Sequence, residues 1–126
     1  MPRQRVLVID DEEAIQEVIQ ACLEELGDWE VFTAGSGKEG LIIAESQLPD
    51  GILLDVSMPE MNGFETLQKL QENLVTQEIP VVLLTAKVQP ADLQRFSQLE
   101  IAGVIQKPFE PLKLLDLVAQ AFQWEL

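Results

Sequence analysis

The chain has 126 residues, 47% of them apolar and 24% charged, which is room for one core and the balance of an ordinary folded domain. Its 22 acids against 8 bases give a formal charge of -14, so the surface as a whole repels phosphate backbones and anionic headgroups, and direct binding to nucleic acid or membrane is disfavoured. Histidine is absent, which excludes histidine-dependent triads, imidazole-ligated zinc and a phosphohistidine carrier, and the single cysteine excludes an internal disulfide.

After Met1-Pro2-Arg3-Gln4-Arg5 come four apolar residues, 6–9, too few for the apolar segment of a secretion signal. No run approaches the roughly 18 residues of a membrane span, and the expected location is the cytoplasm. Residues 6–9 read instead as a short strand buried on both faces. A helix is expected next on the stripe Ile15, Val18, Ile19, Cys22, Leu23 and Leu26, with Gly27 ending it. Cys22 lies on that stripe and reads as a small core residue rather than a reactive thiol. Val31 and Thr33 supply β-branching for a second strand over Glu30–Ala34, and Ser36 with Glu39 forms the capping box of a second helix.

A third strand is expected over 52–54, followed by a helix from about Gly63 to Gln71 that turns Phe64, Leu67 and Leu70 inward. The fourth strand falls at 81–84, and its helix runs from Pro90 to about Leu99. The fifth strand is at 104–105, and Pro111 opens a last helix that ends near Gln123. That helix carries an expected core stripe of Leu112, Leu115, Ala119 and Phe122, and a second apolar set of Leu114, Leu117, Val118, Ala121 and Trp124. The surplus of apolar surface suits either a well-buried helix or a partner or dimer surface shared with the fourth helix and fifth strand.

Strict alternation of strand and helix implies an α/β fold: a doubly wound parallel sheet of five strands with five helices on its two faces, in the flavodoxin-like order 2-1-3-4-5. One domain over 1–126 is expected. No repeat, low-complexity tract or linker interrupts it, and nothing in the pattern suggests an attached output domain.

In such sheets the functional crevice lies beyond the carboxyl ends of the strands. There the sequence is polar: Asp10-Asp11 after strand one, Asp55 after strand three, Thr85 after strand four and Lys107 just after strand five. Taken alone, Asp10-Asp11 could cap a helix, Thr85 could be a capping hydroxyl and Lys107 a surface charge. Together they differ in kind, because neighbouring strands would bring three carboxylates within a few ångströms. Such acids repel strongly unless compensated, and one lysine leaves two negative charges for a divalent cation. With oxygen donors only, a hard ion is required, and hydrated magnesium suits two carboxylates and a carbonyl. Magnesium, Thr85 and Lys107 would then cradle three phosphoryl oxygens, with Asp55 as the nucleophile.

Asp10-Asp11, Asp55-Val56-Ser57-Met58-Pro59-Glu60-Met61-Asn62-Gly63, Thr85-Ala86 and Lys107-Pro108-Phe109 together make the chain resemble a response-regulator receiver domain over nearly its whole length. The resemblance implies that Asp11 and Asp55 bind magnesium directly, that the Ser57 carbonyl is a third protein ligand, and that Asp10 acts mainly through water. It implies that Asp55 is the phosphoacceptor, that the peptide before Pro108 is cis, and that the donor is a phosphohistidine on a sensor histidine kinase or a phosphotransfer protein. Downstream it implies a protein effector. Ser57 and Lys87 would help set the phosphate lifetime. Val104 departs from the family, many of whose members carry a rotating aromatic or histidine there, so the signal is expected to leave by backbone movement of 85–89. Other readings are a receiver that signals without phosphate and a small magnesium-dependent aspartyl phosphatase. The second lacks an acid at Ser57 and a cap domain, and a flavin carrier would need a phosphate loop after strand one.

Overall fold

The computed structural model describes residues 3–56, 58, 62–86 and 90–126. Its elements alternate as expected: β1 (Arg5–Ile9), α1 (Glu13–Gly27), β2 (Glu30–Ala34), α2 (Gly37–Gln47), β3 (Gly51–Asp55), α3 (Gly63–Glu72), β4 (Val81–Thr85), α4 (Pro90–Ser97), β5 (Gly103–Gln106) and α5 (Pro111–Phe122). All strand pairs are parallel, in the order β2-β1-β3-β4-β5.

Because strand side chains alternate between faces, the strands feed two cores. Val6, Val8, Leu53, Val82, Leu84 and Ile105 meet α1 and α5 through Ile19, Leu23, Leu114 and Val118. On the opposite face Leu7, Ile9, Ile52, Leu54 and Leu83 meet Ala44 of α2, Leu67 and Leu70 of α3 and Phe96 of α4. This is why the strand sequences read as continuous apolar runs.

Two expectations are corrected. Gly27 remains helical, and the left-handed residue that ends α1 is Asp28, at φ 55°; a short polar side chain tolerates that conformation. A Cβ at 27 would lie 2.5 Å from Leu115 Cδ1 of α5, so the end of that side chain would have to shift to admit one. The helical phase of α5 is also shifted. Leu112 is 82% exposed whereas Leu114 and Val118 are 0% exposed, so the core face is Leu114, Val118, Ala119 and Phe122. Pro111 sets the start of the helix, and the sheet below, rather than the densest apolar count, chooses its face.

Leu114→Ala is therefore expected to cost about 3 kcal/mol, against less than about 0.5 kcal/mol for Leu112→Ala. Urea unfolding of the two variants checks the assignment, and equal losses would restore the stripe through Leu112.

Smaller features follow local chemistry. Ser36 Oγ accepts from the Glu39 N–H at 3.1 Å, while Glu39 reaches back to the N–H of Gly35. Burial, and after it the charge of Glu25, pushes the Cys22 thiol above its ordinary range, away from the reactive thiolate. Trp29 meets Trp124 edge-on at 5.2 Å. Since Trp29 directly precedes β2, this pair marks the end of the sheet opposite the crevice. No helix among the described residues is long and apolar enough to cross a membrane.

Candidate functional site

The chain steps from β1 to β2 on one side and later returns to β3 on the other, so a crevice opens beyond the carboxyl ends of β1 and β3. The last register pair there is Ile9 with Leu54, which makes Asp10 and Asp55 the next pair outward. Asp55 is also in register with Leu84, and Thr85 follows it on β4. Thr85 in turn pairs with Gln106, one residue before Lys107.

Asp10, Asp11 and Asp55 each present a carboxylate oxygen within 4.8 Å of the others. Asp10, Asp55 and Thr85 are buried, and Asp11 is exposed at the rim. Lys107 Nζ donates to Asp10 Oδ2 at 2.8 Å and lies 3.6 Å from Asp55 Oδ1. The peptide joining Lys107 to Pro108 is cis, as expected. Burial by itself would lower the affinity of Lys107 for its proton. The hydrogen bond that Lys107 donates to Asp10 and the charges of Asp10, Asp55 and Glu12 outweigh it, so the lysine is held above its ordinary value and stays charged.

Three carboxylates facing one ammonium leave an excess of two negative charges, all on oxygen donors. This donor set fits a hard divalent cation and offers nothing to a soft one. The sequence-derived residues Asp10, Asp11, Asp55, Thr85 and Lys107 thus collect at adjacent strand ends. Ser57 and Lys87 lie outside the described residues, as do 88–89 of the segment expected to carry the signal.

Neither Asp10 nor Asp11 is the N-cap of α1. Glu12 holds that position without a side-chain cap, and its N–H donates to Asp10 Oδ1 at 2.9 Å. The roles of two residues escaped the sequence reading. Gly63 opens α3 against the backbone of Asp55 and Val56, and donates its N–H to Val56 O at 3.3 Å. Gln16 extends its side-chain amide to the main chain of Asp10. The signal for Gln16 was an amide set beside Ile15 and one turn from the acids; for Gly63 it was a glycine directly after the Asn62 cap.

The profile of the response regulator receiver domain matches residues 6–119. The chain belongs to the response regulator receiver family. Among its relatives, response regulator Rre1 of Synechocystis is 35% identical over 113 residues, covering 90% of this chain and 49% of that protein. The chain spans about half the length of the curated relatives it matches. Among solved structures, the chemotaxis protein CheY4 of Vibrio cholerae superposes with a TM-score of 0.87 at 31% identity, over 95% of this chain and 99% of that one. The receiver domain of sensor histidine kinase PA1611 from Pseudomonas aeruginosa, whose structure has a magnesium ion coordinated in its active site cleft, gives 0.83 at 25% identity, over 97% and 99%. This receiver is accordingly a signalling domain of two-component systems, a class whose partners are histidine kinases or phosphotransfer proteins on one side and effectors on the other.

A groove of about 470 Å³ adjoins the crevice, lined by Ile15, Val18, Ala86, Pro108, Phe109 and Pro111, with Glu12 and Lys107 at its edge.

Proposed function

We propose that this receiver accepts a phosphoryl group on Asp55 from a phosphohistidine of another chain and passes the event to a protein effector. The observation that carries the reading is the convergence of Asp10, Asp11 and Asp55 within 4.8 Å of one another, with Lys107 against Asp10 and Asp55. Asp11 and Asp55 would hold magnesium, with Asp10 reaching it through water and the Ser57 carbonyl as a third protein donor. When bound, the ion supplies charge neutralisation at the crowded acids and at the incoming phosphoryl oxygens.

Asp55 attacks phosphorus through a carboxylate oxygen, the bond from phosphorus to the donor's nitrogen breaks, and the electron pair leaves with the imidazole. Thr85 and Lys107 take phosphoryl oxygens, which places positive and hydrogen-bonding character where charge builds. The adjoining groove of Ile15, Val18 and Phe109 supplies an apolar seat for the donor protein beside the reacting carboxylate. We place the protein in the cytoplasm, the compartment of the ATP that charges such donors. Its only chemistry toward small molecules would be self-phosphorylation and loss of its own phosphate, at a rate tuned by Ser57 and Lys87.

The acyl phosphate carries about one more negative charge than the free carboxylate. That change draws Lys107 from Asp10 toward the phosphoryl group and moves the chain that follows Thr85. Val104 has no ring to rotate, so the backbone after Thr85 carries the signal toward β5 and α5. There Val104, Leu112 and Leu117 stand exposed, an apolar face available to an effector or a second copy. Light scattering with beryllofluoride would register such association.

Incubation with magnesium and acetyl phosphate tests the reading by intact mass. Wild type is expected to gain one phosphoryl group, and Asp55→Asn or removal of magnesium with chelator to prevent the gain. A gain that persists in Asp55→Asn would refute the assignment.

A further inference from the structure

Every polar group of Asp10 is engaged. Its N–H donates to Ala34 O at 3.0 Å, its Oδ1 accepts from the Glu12 N–H and its Oδ2 from Lys107. Its carbonyl accepts from Gln16 Nε2 at 2.6 Å, and the same amide nitrogen lies 3.3 Å from Ala34 O. One side chain of α1 therefore ties together the ends of β1 and β2 where the chain leaves the sheet for the crevice.

The carbonyl of Asp10 belongs to the peptide plane shared with Asp11. Fixing that plane fixes the position of the Asp11 Cα and the N–Cα axis about which its side chain can turn, and Asp11 is the exposed member of the acidic trio. The Asp10 side chain is independently pinned by Glu12 and Lys107. Among the hydrogen bonds around Asp10, the one from Gln16 is the side-chain contact that orients the Asp10–Asp11 peptide. We infer that Gln16 is a positioning residue for the cation site, acting through the Asp10 carbonyl to aim Asp11. The inference rests on the proposal that these acids hold magnesium. It matters because magnesium tolerates little departure from octahedral geometry, so a loosened ligand is felt as lost affinity.

Two near-isosteric substitutions separate geometry from charge. Gln16→Met removes the donors and keeps the length, and Gln16→Glu replaces the donors with an anion facing two carbonyl oxygens. A negative charge added near the site would by itself tighten a divalent cation, whereas disruption of the peptide plane weakens it. With magnesium alone titrated calorimetrically into the metal-free proteins, both variants are expected to bind about tenfold more weakly than wild type. A folded variant within twofold of wild type, or tighter binding by Gln16→Glu, overturns the inference and leaves the proposed function standing. Wild type that binds no magnesium overturns both. Should the variants fail to fold, the wild type still decides: a through-hydrogen-bond coupling between the Gln16 side-chain nitrogen and the Asp10 carbonyl carbon is expected, and its absence overturns the inference.

Discussion

Gly63→Ala is expected to lower stability by about 2–3 kcal/mol and to slow phosphoryl uptake from acetyl phosphate by about a hundredfold. Helix propensity alone predicts the opposite sign, because replacing glycine by alanine inside a helix gains up to about 1 kcal/mol. The local packing decides. A Cβ at 63 would run into the Asp55 carbonyl and lie 2.5 Å from Val56 Cα. These obstacles are backbone, which cannot rotate aside as a side chain can. Either α3 backs away, losing the contacts of Leu67 and Leu70 with the core, or β3 shifts and takes Asp55 with it. A misplacement near 1 Å in the attacking group is enough for a rate loss of this size. Urea unfolding and the rate of mass gain measure the two effects, and a more stable, fully active variant would show that the close approach is slack.

The second large effect is expected from Lys107→Met. Asp10 is 0% exposed and Asp55 3% exposed, and the lysine supplies the ammonium that lies against both. Removing one partner of a buried ionic group leaves the rest uncompensated, which costs about 3–5 kcal/mol. The metal-free variant should lose that amount of stability in urea. Added magnesium should then stabilise the variant more than it stabilises wild type, since binding to the folded state alone adds stability by mass action and no ammonium competes for the acids. Equal stabilisation of the two proteins by magnesium would contradict a shared site. The pH dependence has a definite sign in wild type. Folding raises the lysine's hold on its proton, so its contribution is complete below the ordinary lysine value of about 10.4 and is lost only as alkali carries the pH above that range.

Residues at the strand ends were legible in the sequence because a parallel sheet turns chain order into spatial order. An acid directly after a buried run such as 52–54 has one place to go, and alternation with helices fixed which strands are neighbours. Asp10, Asp55, Thr85 and Lys107 could be placed on that basis. Helix faces were less legible. In α5 the polar residues Lys113, Asp116 and Gln120 share one face, opposite Leu114, Val118 and Phe122, but the apolar surplus around them also allowed a stripe through Leu112, and contact with Leu53, Val82 and Ile105 of the sheet decides for Leu114. Glycine was read as punctuation, wrongly at Gly27, and its role as space was not legible. Gly27 and Gly63 serve close approaches to Leu115 and to the Asp55 backbone, partners distant in sequence or hidden behind a loop. Gln16 escaped for a similar reason, because its partners, Asp10 O and Ala34 O, are main-chain atoms that no side-chain pattern reveals.

Asp55 is the proposed nucleophile that meets phosphorus. Protein labelled with acetyl phosphate and magnesium can be reduced with borohydride, which converts an aspartyl phosphate to homoserine, and then mapped by peptide mass spectrometry. The expected result is homoserine at position 55, dependent on magnesium. Homoserine at position 10 or 11, or label on a hydroxyl such as Thr85 that resists reduction, would contradict it.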